Sequence, residues 1–179
     1  MDLMDLLKAT GGGNSVGELA SAVGLGSNDT SKLVAAVAPA LMRGLQKNTA
    51  DDGGLDGLRH ALETGGHDRY IDNPSLMKAD ETRVDGNNIL GHIFGSKDVS
   101  RNVAAVASKD TGIDPSLIKK ALPLLASLAM GAMNKKTAGG REIGPSVKSG
   151  GLGPLGDLLG LGGSKSGLDD ILGMARKFF

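Results

Sequence analysis

One stretch of this chain is written twice. Gly24-Leu25 precedes an apolar run from Leu33 to Met42 and then Lys47-Asn48-Thr49-Ala50; Gly112-Ile113 precedes Ala121 to Met133 and then Lys135-Lys136-Thr137-Ala138. Both sets of landmarks align at a single offset without a gap, the signature of an internal repeat. A repeated turn, long apolar helix and basic exit restricts the fold to a helical scaffold with two related halves.

The side chains available for a core agree with that restriction. The 179 residues are 40% hydrophobic but only 2% aromatic, the aromatics being Tyr70, Phe94, Phe178 and Phe179. A core of Leu, Ala, Val, Ile and Met with so little aromatic bulk favours helix over sheet, and the expected class is an all-α multihelical bundle. Many of the 29 glycines fall between periodic segments, where they separate helices. Lys and Arg balance Asp and Glu at 20 each, which leaves no net field to draw the molecule onto nucleic acid or an acidic membrane. Cysteine is absent, so there is no disulfide framework and no thiolate metal site.

Helix boundaries can be read from punctuation. Leu3, Met4, Leu6 and Leu7 form a stripe that ends at Gly11-Gly12-Gly13, and Asn14 or Ser15 is expected to cap a helix running to Gly24. A capped turn at Ser27 to Thr30 opens a long helix to about Gln46, whose axis Pro39 is expected to bend. Gly53-Gly54 introduces a short helix ending at Gly65-Gly66. Residues 67–84 are poorer in hydrophobics and are expected to link two copies, about 1–66 and 85–140. Asp85-Gly86-Asn87-Asn88 is expected to restart structure, and Asp98 to cap a helix carrying Val99, Val103, Val106 and Ala107 on one side. Asp114 and Pro115 then open the helix of Ile118, Leu122 and Leu125, which Pro123 is expected to bend. Residues 141–167 form a Gly-rich linker, expected to be flexible, and 168–179 an apolar terminal helix.

Several of these segments carry a resemblance. Met1-Asp2-Leu3-Met4-Asp5-Leu6-Leu7, Gly53-Gly54-Leu55-Asp56-Gly57-Leu58, His67-Asp68-Arg69-Tyr70-Ile71-Asp72, the run from Asp85 to Gly95 and Leu122-Pro123-Leu124-Leu125 are together similar to the YidB-like bacterial family, domain of unknown function 937. The resemblance spans residues 1 to about 140, and the tail from Gly167 to Leu172 is similar to carboxy-terminal segments of many members. It implies a multihelical soluble domain and supplies no catalytic residues.

Candidate chemistry is sparse. His60, His67 and His92 with Asp68 and Asp72 contain metal-binding side chains, but no pair has the i, i+4 spacing of a helical ligand site, and no metal is expected. Asp85-Gly86-Asn87-Asn88 begins like a calcium loop, yet Phe94-Gly95 stands where the bidentate carboxylate belongs. No nucleophile elbow, phosphate loop or acid/base pair is recognisable, so the expectation is no enzyme and no cofactor. The apolar runs are shorter than the roughly 20 residues of a membrane span, and the amino terminus lacks the basic and apolar regions of a signal peptide. A cytoplasmic protein with no transmembrane span is expected.

What remains is interaction. Leu168, Ile171, Leu172, Phe178 and Phe179 form a greasy segment beyond the Gly-rich stretch and are the candidate docking residues, for this chain's own core or for a neighbour. The expected function is a non-enzymatic protein-interaction or self-assembly scaffold whose partner is a protein, itself or another chain. A helix-turn-helix-like nucleic-acid binder is the alternative. It would rest on Lys119-Lys120, Lys135-Lys136 and Arg141, and is disfavoured by the scarcity of aromatics for base stacking.

Overall fold

The protein is described here from a computed structural model, covering residues 3–143 and the single residue Gly156. The described residues are all-α. Helices α1 (Leu3–Ala9), α2 (Gly13–Val23), α3 (Ser27–Asn48) and α4 (Asp52–Thr64) are followed by the single turn α5 (Arg69–Asp72) and a 3-10 helix at Pro74–Lys78. Then come α6 (Asp80–Phe94), α7 (Lys97–Thr111) and α8 (Pro115–Lys136).

Helix α8 is the axis of the molecule and touches each of the other seven α-helices. Its sequence explains why. From Ala121 to Asn134 every residue but Ala129 is buried, and a helix apolar on all sides must be surrounded. Asp114 caps its start, accepting the Ser116 N–H at 2.7 Å, and Pro115 occupies the first turn, as the sequence predicts. The helix is longer than the apolar run within it. Its 22 residues meet the length and composition of a membrane span, contrary to the expectation from the run alone, but 78% of the most apolar window is buried inside the bundle.

The helices pressed onto α8 meet it closely. Gly86 lies where α6 crosses Pro123, and a Cβ there would stand 1.9 Å from the Pro123 carbonyl oxygen. Buried hydroxyls fix the crossing: Ser127 donates to the Thr82 carbonyl at 3.0 Å, and Thr82 donates to the Leu76 carbonyl at 2.6 Å. Around these ties pack Leu33, Leu125, Leu128 and Ile118, all at 0% exposure. Each buried side chain of this size contributes about 1.5–3 kcal/mol.

Helices α3 and α8 are both 22 residues long. Each is entered from a left-handed glycine, Gly24 or Gly112, the conformation that glycine adopts without steric cost. Each ends at a threonine, Thr49 or Thr137, whose hydroxyl donates back to the carbonyl four residues earlier. Both prolines, Pro39 and Pro123, lie inside continuous helices.

Several local expectations need revision. Ser96, not Asp98, caps α7, its hydroxyl accepting the Val99 N–H at 3.3 Å. Ser15 caps nothing; it is buried within α2 and donates to the Tyr70 carbonyl at 2.8 Å. Asp85 to Asn88 lie inside α6, which starts at Asp80. On α7 the small residues Ala104 and Ala107 are buried, while Val99 and Val106 are 40% and 57% exposed, because close helix packing selects the alanine face. Residues 67–84 carry α5, the 3-10 helix and the start of α6, and they bury Tyr70, Ile71 and Met77. Ile143, just past residue 140, is also buried. Leu168, Ile171, Leu172, Phe178 and Phe179, with most of 141–167, lie outside the described residues.

Candidate functional site: a groove along α4 with a buried polar corner

Helix α4 is held to the bundle by one edge. Asp51 caps it, accepting the Gly54 N–H at 2.7 Å. Leu55 and Leu62 are buried, and the Asn134 amide of α8 donates to the Leu62 carbonyl at 2.6 Å. On another edge of α4, Gly53, Gly57 and Ala61 recur every four residues and lead to Gly65 just beyond the helix. Because positions four apart share a face, these small residues form one stripe.

That stripe is one wall of a cavity of about 430 Å³. Opposite it stand Asp85, Ile89, His92 and Ile93 of α6; Leu45 and Asn48 of α3 and Met130 of α8 contribute to the lining. The Asn48 amide donates to the His92 carbonyl and ties α3 to α6. Both the volume and the mixture of apolar walls with a few polar groups are in the range of ligand and peptide sites.

A polar corner built by α5 and α6 borders the cavity. His67 is 5% exposed, and its Nδ1 stands 3.3 Å from Asp85 Oδ2, near enough for attraction but without the alignment of a hydrogen bond. Its Nε2 lies beside Gly65, at a spot that any Cβ on residue 65 would reach to 2.1 Å. Tyr70 donates its phenol hydrogen to the same Asp85 oxygen at 2.5 Å, and Arg69 in turn donates to the phenol oxygen at 2.8 Å. The Arg69 guanidinium stands over the Tyr70 ring, 4.9 Å from its centroid. Burial pushes the His67 pKa below its ordinary 6.5, and the attraction of Asp85 opposes this only in part. Burial likewise raises the Tyr70 phenol, with the hydrogen bond to Asp85 adding to it. At neutral pH the corner therefore presents a neutral imidazole that can donate or accept one hydrogen bond.

The histidines considered from sequence separate here. His67 and His92 line the same cavity, whereas His60 sits exposed on α4 outside its lining. Among the described residues no three His, Cys, Asp or Glu side chains gather as a metal site would need. The contact of Tyr70 with Asp85 was not legible in the sequence, since the two are separated by a turn, a 3-10 helix and five residues of α6. A lone tyrosine in a polar stretch was the available signal. Lys119 and Lys120 are exposed on α8, and Lys135 pairs with Asp72.

No curated protein and no solved structure matches the chain significantly. Its helical architecture, the resemblance of its segments and a family-model match over residues 5–136 agree: the chain belongs to the bacterial protein family of unknown function DUF937.

Proposed function

We propose that this protein is a non-enzymatic interaction or self-assembly scaffold that acts through its apolar carboxy-terminal segment. The observation that carries the reading is the groove along α4, an apolar-walled concavity whose small-residue wall suits an incoming chain better than a reacting small molecule. The polar groups of its corner support the same reading, because Asp85, Tyr70 and Arg69 are engaged with one another. The scaffold itself we read as an internal duplication. In its support, Leu33, Val34, Val37, Ala38 and Leu45 of α3 are buried, and so are Ala121, Leu122, Leu125, Ala126 and Met133 at the equivalent positions of α8.

Nucleic-acid binding has less support. Helices α2 and α3, and α7 and α8, do pair through three-residue turns, but a recognition helix must be free to enter a groove, and α8 is the most enclosed helix of the bundle. The proposal is tested by light scattering coupled to size exclusion on the full chain and on a Phe178→Asp/Phe179→Asp double variant. A multimer that the variant reduces to a monomer is expected; identical masses for the two would overturn self-association through the tail.

A further inference from the structure

Of the run Asp85-Gly86-Asn87-Asn88, the fold accounts for only the first half. Asp85 belongs to the polar corner and Gly86 to the crossing with Pro123. Asn87 and Asn88 cap nothing. They lie inside α6, where asparagine is among the poorer helix formers, and their side-chain amides make no hydrogen bond among the described residues. Both border a second cavity, of about 500 Å³, walled by α6, α7 and α8 and within the size range of small-molecule sites. Lys97 and Arg101, one turn apart on the same face of α7, reach it from one side with Ser100 beside them, and Lys119 reaches it from α8. Leu90, Leu122 and Pro123, all buried, make its apolar side.

In a chain with no net charge, this cavity gathers three cations and no carboxylate in its lining, and its polar groups are uncommitted. Lys97 and Lys119 meet no carboxylate as ion pairs among the described residues. Asp114 is held below the usual carboxylate range chiefly by its bonds to Ser116, with Lys119 a minor influence. Arg101 meets Asp98 at 3.0 Å, but the pair is so exposed that it holds the guanidinium weakly. The half-buried Ser100 also stands apart. Ser21, Ser31, Thr64 and Thr111 each donate to the carbonyl four residues earlier, whereas the Ser100 hydroxyl has no partner among the described residues. The start of α7 borders the same space and adds the positive end of its dipole.

We propose that this cavity binds a small organic diphosphate of the nucleoside diphosphate class. Lys97, Arg101 and Lys119 meet its phosphates, whose roughly three negative charges they balance. Leu90, Leu122 and Pro123 cover the organic part, and the Asn87 and Asn88 amides bond its polar edge. A concavity between three helices suits a small molecule rather than a nucleic-acid strand. The site goes beyond the scaffold reading and does not depend on it.

Titration calorimetry of the full-length chain with ADP, and separately with inorganic pyrophosphate, at low ionic strength tests the site. Saturable binding is expected, with ADP the tighter ligand. Lys97→Gln/Lys119→Gln changes only exposed side chains and should weaken both ligands about tenfold or more. Lys47→Gln/Lys109→Gln removes the same charge from exposed positions outside the cavity and should leave both affinities within about twofold. Asn87→Ala/Asn88→Ala favours the helix and leaves the charge unchanged, so it should weaken ADP about threefold or more while sparing pyrophosphate. Equal losses in the two lysine variants would reduce the binding to general charge attraction and overturn the site. Pyrophosphate binding as tightly as ADP, with the asparagine variant silent, would overturn the organic ligand. Absence of saturable binding by either would overturn the proposal as a whole.

Discussion

His67 connects the groove to pH. Its neutral form is buried, so its folded pKa lies below the unfolded 6.5. The unfolded chain therefore binds the proton first as pH falls, and stability must drop on acidification starting near 6.5, by up to about 1.4 kcal/mol per pH unit until the folded value is passed. Denaturant unfolding between pH 7.5 and 5 should show this slope, and His67→Gln should flatten it; an unchanged slope in the variant would assign the effect to other groups. Two glycines of one helix give an opposed pair of outcomes. Gly86→Ala forces a Cβ against the Pro123 carbonyl and should destabilise by about 1–3 kcal/mol. Gly91→Ala, with open space around it, should stabilise by up to about 1 kcal/mol. Both glycines look alike in the sequence. What separates them is a crossing with α8 that no local pattern encodes.

Among the elements, α4 and α8 stand at opposite ends of attachment. Helix α8 contacts every other helix, whereas α4 is joined to the bundle chiefly through α8, Leu55, Leu62 and the Asn134 amide. Native-state hydrogen exchange should find α4 opening at a lower free energy than α8. Asn134→Leu removes the donor to the buried Leu62 carbonyl and should cost about 1–3 kcal/mol, with the loss of protection concentrated in α4. The sequence made these helices legible where punctuation and periodicity agree. Asp114-Pro115 set the start of α8, and Gly24 and Gly112 the ends of α2 and α7. It misled where a residue with capping chemistry was used otherwise, as Ser15 is in bonding Tyr70, or where two faces of one helix compete. On α7 the valines are the more hydrophobic, but only the alanines allow the close approach that α3 and α8 make.

At the scale of the whole molecule, a bundle wound around one enclosed helix leaves its least-attached helix bordering an apolar groove. The all-α class followed from composition alone. The groove did not, because its walls come from four helices distant in sequence and its smooth side consists of residues that read as punctuation. His67, considered from sequence only as a metal ligand, turns out to be the corner of that groove beside Asp85. If the proposed function is right, residues 168–179 dock rather than trail in solvent. Hydrogen–deuterium exchange of the full-length chain measures this directly. Amides of 168–179 should be protected, and Leu168→Ser/Ile171→Ser/Leu172→Ser should release both the segment and α4; exchange of 168–179 at the rate of a free peptide, with α4 indifferent to those substitutions, would rule docking out.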